Sequence, residues 1–208
     1  MADITAALVK QLRERTGAAM MDCKKALVEA NGDLAEGEVV LRKRGIASAG
    51  KKSSRSTKQG AVGTYIHAGA QLGVMVEVNC ESDFVARTDD FQELVRDIAM
   101  HIAATDPQFI RREEVTAAAL EKEKEIQLAR AINEGKPAAI AAKIVEGRMS
   151  KFYEEVCLYD QPFVKDNATT VDQLIKTKIA KLGENISVSR FARFKVGDGT
   201  PDQPESAA

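Results

Sequence analysis

The chain has 208 residues, 44% hydrophobic and 29% charged, which suits a globular protein of one medium domain or two small ones. Its 30 basic and 31 acidic residues leave a net charge of −1, so no global electrostatic case for nucleic acid or membrane arises. Trp is absent and aromatics are few, which argues against a base-stacking surface, and no apolar run approaches the ~18–20 residues of a membrane span.

The N-terminal residues Met1 to Thr5 lack the basic region and apolar core of a signal peptide, so a cytoplasmic chain is expected. Residues 1–50 read as a module of three short helices. Ile4, Leu8 and Leu12 recur every four residues, and Thr16-Gly17 ends the first helix. The second covers about Met20 to Ala30 and stops at Asn31-Gly32. Asp33 caps a third, carrying Leu34, Val40 and Leu41, that ends near Gly45 despite an unfavourable Gly37. So small a core is marginal and implies binding to something or support from a neighbour.

Residues 51–60 read as a basic linker. No acid occurs between Glu38 and Glu77, while Arg42, Lys43, Arg44, Lys51, Lys52, Arg55 and Lys58 fall in that gap. The run is either a solvated connection or a contact for RNA or an acidic partner, and it lacks the interleaved aromatics of specific RNA binding.

Residues 61–197 read as an α+β domain. Val62 to His67 and Leu72 to Cys80 form a β-hairpin, with Val74, Val76 and Val78 on one face. The strand breaks at Glu81-Ser82-Asp83, residues of turns and N-caps, so Phe84 sits at a strand end beside a carboxylate. That ring is either presented outward as a wedge or buried at the start of the next helix. Asp83 either caps that turn or meets a partner. The next helix, Thr88 to Ala104, carries the apolar face of Phe91, Leu94, Val95, Ile98 and Ile102. Glu113 to Asn133 and Ala138 to about Val156 make an antiparallel helical hairpin around a Gly-Lys-Pro turn. Its apolar stripe is thin, so the hairpin should protrude. Gly147 within it is a close helix contact or a weak point. A further helix starts at Thr169-Thr170 and ends at Gly183, and a last strand runs from Ile186 to Val196. The acid- and Pro-rich tail, 198–208, is expected to be disordered.

No catalytic constellation emerges. His67 and His101 belong to no Cys/His cluster of metal spacing, and there is neither a phosphate loop nor a nucleophile elbow. Asp89-Asp90 and Glu113-Glu114 fit helix starts. Cys23, Cys80 and Cys157 are odd in number and far apart, which fits buried reduced thiols. The acids Glu81 and Asp83 would raise the Cys80 pKa, away from reactivity. A binding protein without metal or cofactor is therefore expected, an adaptor or RNA-associated module being one reading of it.

Three motifs carry a family resemblance. Thr16-Gly17-Ala18-Ala19-Met20-Met21-Asp22-Cys23-Lys24-Lys25-Ala26-Leu27 resembles the signature of bacterial elongation factor Ts. So do Val78-Asn79-Cys80-Glu81-Ser82-Asp83-Phe84-Val85-Ala86 and Ile144 to Phe152 followed by Gln161-Pro162-Phe163-Val164. The similarity runs to Gly197 and matches the short form of the family. Ser82 stands where Thr is usual, and Ala19 where Gly is common. The resemblance implies a guanine-nucleotide exchange factor for elongation factor Tu. It implies an N-terminal three-helix module like a ubiquitin-associated domain, docking through Leu12, Met20 and Met21. It implies that Ser82, Asp83, Phe84 and Val85 enter the region of the partner's magnesium. A homodimer within the complex belongs to the same expectation, and no direct nucleic-acid contact does. Met20 and Met21 are either inward-packing or the flexible apolar contacts for which Met is suited.

Overall fold

A computed structural model describes residues 4–135 and 137–198. Helices α1 (Ala6–Thr16) and α2 (Met20–Glu29) are followed by α3 (Leu34–Lys52). Thr5 and Asp33 accept backbone N–H groups at the starts of α1 and α3. Val9, Leu12, Cys23, Ala26, Leu27 and Val40 form the small core of this module. Gly37 lies against Leu12 and Leu27, where an added Cβ would stand 3.3 and 3.4 Å from their side chains. The glycine costs helix propensity and allows α3 to approach its neighbours.

The third helix corrects two sequence expectations. It does not end near Gly45 but continues to Lys52, so the connection to the sheet shrinks from ten residues to 53–58. The reason is packing. Gly45 sits where a Cβ would lie 2.9 Å from the Cβ of Ala180 on a later helix, and Ala49 is buried in the larger core. The helix therefore belongs to both cores at once, and the glycine read as a stop is a point of close approach.

Strands β1 (Gln59–Ile66), β2 (Leu72–Cys80) and β5 (Ile186–Lys195) form an antiparallel sheet in the order β1-β2-β5. Val74, Val76, Val78 and Cys80 of the central strand, with Ile186 and Val188, face inward. They pack on α5 (Asp89–Thr105) and α8 (Val171–Leu182). Phe91, Leu94, Val95, Ile98 and Ile102 are all buried, as their spacing requires. Helix α5 crosses β1 so closely that a Cβ on Gly63 would fall 2.3 Å from Val95. Thr170 and Gln173 form a reciprocal capping box at the start of α8.

Helices α6 (Ala117–Asn133) and α7 (Ala138–Val156) make the expected antiparallel hairpin. It starts four residues later than the acid pair suggested, because Glu114 turns back to accept the N–H of Ile110 at 2.9 Å while Thr116 caps the helix. Only Ala131 is buried on α6, and Ile126, Leu128, Ile132 and Ile140 remain exposed, in keeping with a projecting arm. Gly147 meets nothing within 4 Å, which removes the close-contact reading. Two short strands, β3 (Pro162–Phe163) and β4 (Asp166–Thr170), were not anticipated. The tail expectation lies outside the described residues apart from Asp198, which stands near Arg193 at 3.8 Å.

His101 is fully buried between α5 and β3. Its Nδ1 accepts the N–H of Val164 at 3.2 Å, so the proton sits on Nε2 and is donated to the Gln161 carbonyl oxygen at 3.0 Å. Burial pushes the imidazole pKa below its ordinary 6.5. The unfolded chain then binds this proton more readily than the folded one. The stability is complete above pH 6.5 and declines as pH falls below it, by at most ~1.4 kcal/mol per pH unit. Thermal melts between pH 7.5 and 5.5 are expected to show that decline and to lose most of it in His101→Gln; an equal slope in the variant would contradict it.

Candidate functional site

The site is built on the end of the central strand. After Cys80 the chain makes a single helical turn, α4 (Asp83–Ala86). Ser82 is its N-cap, accepting the N–H of Val85 at 3.4 Å. Asp83 therefore does not cap the turn, which corrects one of its two expected roles. Its carboxylate instead meets Arg87 at 3.0 Å, a surface pair of small energetic weight. Ala86 is buried and Val85 packs, partly covered, on the main core. Successive helical positions lie ~100° apart, so a turn that buries Ala86 aims Phe84 the other way. Phe84 is 80% exposed. The alternative of a core phenylalanine is excluded.

The turn that carries the ring is braced from several sides. The Glu184 carboxylate accepts the N–H groups of Glu81 at 3.1 Å and Ser82 at 2.9 Å, and the Ser82 hydroxyl at 2.6 Å. Glu81 in turn accepts the N–H of Asn185 at 2.7 Å. The Asn185 amide donates to the carbonyls of Ser53 at 3.3 Å and Arg55 at 2.8 Å. On the far side Thr88 donates to the Val85 carbonyl at 2.8 Å and Gln92 to that of Ala86 at 2.7 Å. Glu184 and Asn185 escaped the sequence reading, and Glu81 was read only as a turn residue beside Cys80. A Gly-Glu-Asn turn is ordinary loop composition, and nothing in the spacing reveals that it faces residue 82 from 102 positions away.

Cys80 is buried beneath this turn, and its thiol donates to the Ser82 carbonyl at 3.1 Å. Burial raises its pKa first, with Glu184 and then Asp83 adding to it, so Glu184 takes the part expected of Glu81. Burial pushes Cys157 up to about 11. Cys23, like these two, is free and buried. Among the described residues no group of three or more His, Cys, Asp or Glu is arranged to hold a metal, and no helix is long and apolar enough to cross a membrane.

The second set of site residues splits. Leu12 is 0% exposed, so it builds the interior of the three-helix module and cannot touch a partner; its four-residue spacing from Leu8 is a core stripe. Met20 and Met21 are 45% and 63% exposed, which removes the inward reading for both. Helix α2 buries Cys23, Ala26 and Leu27 and turns Met21 and Val28 to the opposite side. Of the basic run, Arg44 pairs with Glu29, Arg55 with Glu81, and Arg42 donates to Thr169. Arg44 thus braces α3 on α2 within the module, while Arg42 and Arg55 reach β4 and the end of β2.

The family model described as Elongation factor TS matches residues 48–198. The chain is 78% identical to elongation factor Ts of Solibacter usitatus over 198 residues, covering 95% of this chain and 93% of that one. It is 65% identical to elongation factor Ts of Koribacter versatilis over 94% of this chain and 90% of the relative. With that of Desulforamulus reducens it shares 55% identity over 100% of this chain and 96% of the relative. The chain belongs to the elongation factor Ts family. It is thus a translation elongation factor, and the α+β architecture and the three motifs of the sequence agree with that membership.

Proposed function

We propose that this chain binds elongation factor Tu in its GDP-bound and nucleotide-free states and promotes release of GDP, acting by binding and by no chemistry of its own. The observation that carries the reading is an exposed phenyl ring fixed on a short, braced turn of an elongation factor Ts chain. Met20 and Met21 supply the docking face on the GTPase domain of the partner, and Leu12 supports them from within.

Magnesium in the partner is a hard octahedral ion held by phosphate oxygens, a few protein oxygens and water. It neutralises the diphosphate. A ring pushed among the loops that organise the ion displaces them, the ion loses coordination, and the nucleotide loses its charge partner. Reciprocity requires the factor to bind the empty partner more tightly than the GDP-bound one. A release acceleration of about 10⁴ needs ~5.5 kcal/mol of differential binding. One aromatic side chain contributes ~1.5–3 kcal/mol of burial, so Phe84 needs the anchoring that the three-helix module gives. Asp83, beside the ring, adds a carboxylate at the same point, while Ser82 and Val85 form its base. The outer sheet face, with Val62, Ile66, Met75 and Phe194 exposed, is offered to the rest of the partner or to a second copy. The cytoplasm is where such a partner is met.

Release of fluorescent GDP from purified elongation factor Tu, with and without the chain, tests the reading. Acceleration that saturates with factor is expected, and an unchanged release rate would refute it. An RNA-binding adaptor would instead bind RNA with an affinity that falls steeply with salt.

A further inference from the structure

Three stretches distant in sequence converge under the Phe84 turn. The connection leaving α3 offers its Ser53 and Arg55 carbonyls, the end of β2 offers Glu81 and Ser82, and the α8–β5 junction offers Glu184 and Asn185. The bonds run both ways. Glu184 takes two backbone N–H groups and a hydroxyl from the turn, while Glu81 returns by accepting the Asn185 N–H. The Arg55 guanidinium lies 3.4 Å from the same Glu81 oxygen. Asn185 is buried and Glu81 and Ser82 are partly covered, so these contacts are shielded from water in part.

We infer that Glu184, with Glu81 and Asn185, is a positioning device: a clasp that fixes the Phe84 turn relative to the tether of the docking module. The physical need is plain. A wedge transmits binding energy only when its mount does not yield, and misplacement by ~1 Å is enough to forfeit much of an aligned effect. The module on α1 to α3 anchors the chain, and the ring acts at a distance from it. The 53–55 segment is where the path from one to the other leaves α3, and Asn185 joins that segment to the turn, its side-chain amide donating to Ser53 and Arg55 and its own N–H to Glu81. The inference rests on the exchange reading above and adds residues that touch no partner and act only through Phe84.

Glu184→Gln keeps the volume but replaces an acceptor oxygen by a donor facing N–H and O–H donors. In the full chain, stopped-flow GDP release at saturating factor is expected to slow about tenfold, the size of a lost charge-assisted hydrogen bond. The half-saturating concentration should hold within about twofold, since the α2 face is untouched. Combining Glu184→Gln with Phe84→Ala should be no slower than Phe84→Ala alone, because the clasp works through the ring. Hydrogen exchange should show faster exchange at the Glu81 and Ser82 amides with the β2 interior still protected. A wild-type rate for Glu184→Gln beside a slow Phe84→Ala, or unchanged exchange at the two amides, overturns the clasp alone. A wild-type rate for Phe84→Ala overturns the wedge reading and the clasp with it. Should Glu184→Gln lose protection throughout β2, Ser82→Ala takes its place: it removes one of the three donors together with the Val85 cap and is expected to slow release about threefold, and an unaltered rate would again overturn the clasp.

Discussion

Replacing Phe84 by alanine is expected to slow GDP release from elongation factor Tu about ten- to a hundredfold while leaving the chain's own stability nearly unchanged. The two halves of that expectation come from one fact. A ring that is 80% exposed contributes little packing to its own fold, so deleting it opens no cavity. The turn is held by Ser82, Val85, Ala86 and Glu184, none of which depends on the ring. All of the ~1.5–3 kcal/mol a buried phenyl can supply is therefore available to the complex, and that energy sets the factor in rate. Stopped-flow release at saturating factor, paired with a thermal melt, measures both. A variant that melts normally and exchanges at the wild-type rate would remove Phe84 from the mechanism.

Substituting Met21 by aspartate is expected to raise the concentration of factor needed for half-maximal release by about thirtyfold or more. The saturating rate should change far less. Met21 is 63% exposed on the α2 face opposite Cys23, Ala26 and Leu27, so the module's core is not disturbed. It is also the second residue of the helix, where an added carboxylate interacts favourably with the helix dipole. The fold should tolerate the change. An interface that buries this side chain would not, because an unpaired carboxylate resists desolvation by ~2 kcal/mol or more. The contrast with Phe84→Ala is the informative part: one variant should change the amount of factor required and the other the speed it reaches. A Met21→Asp chain that folds and docks at full strength would assign the docking elsewhere.

The place of Phe84 at a strand end was legible from sequence, but its outward exposure was one of two open readings until the turn was seen. Ser82 is a good N-cap at the end of an alternating strand, and a one-turn helix that buries Ala86 leaves residue 84 outside. The buried stripe of α5 and the inward valines of β2 were legible because each period writes its face directly into the chain. What escaped depends on partners remote in sequence. Gly45 looks like a helix terminator until Ala180 is seen against it. Leu12 looks like an available apolar residue until α2 and α3 close over it. The β3–β4 pair is too short and polar to alternate visibly, and Pro162–Phe163 and Asp166–Thr170 pair through a register shift. Glu184 is the clearest case. As text it is one acid in a turn, and its role exists only where the fold brings it to the Glu81 and Ser82 amides.

The expected loss of rate requires the ring of residue 84 to enter the nucleotide site of the GTPase. A photoreactive benzophenone amino acid placed at position 84, irradiated in the complex with nucleotide-free elongation factor Tu and mapped by mass spectrometry, tests it most directly. Crosslinks confined to GTPase-domain peptides that border the magnesium and phosphate site are predicted. Crosslinks to another domain of the partner, or none from a chain that still binds and accelerates release, would contradict it.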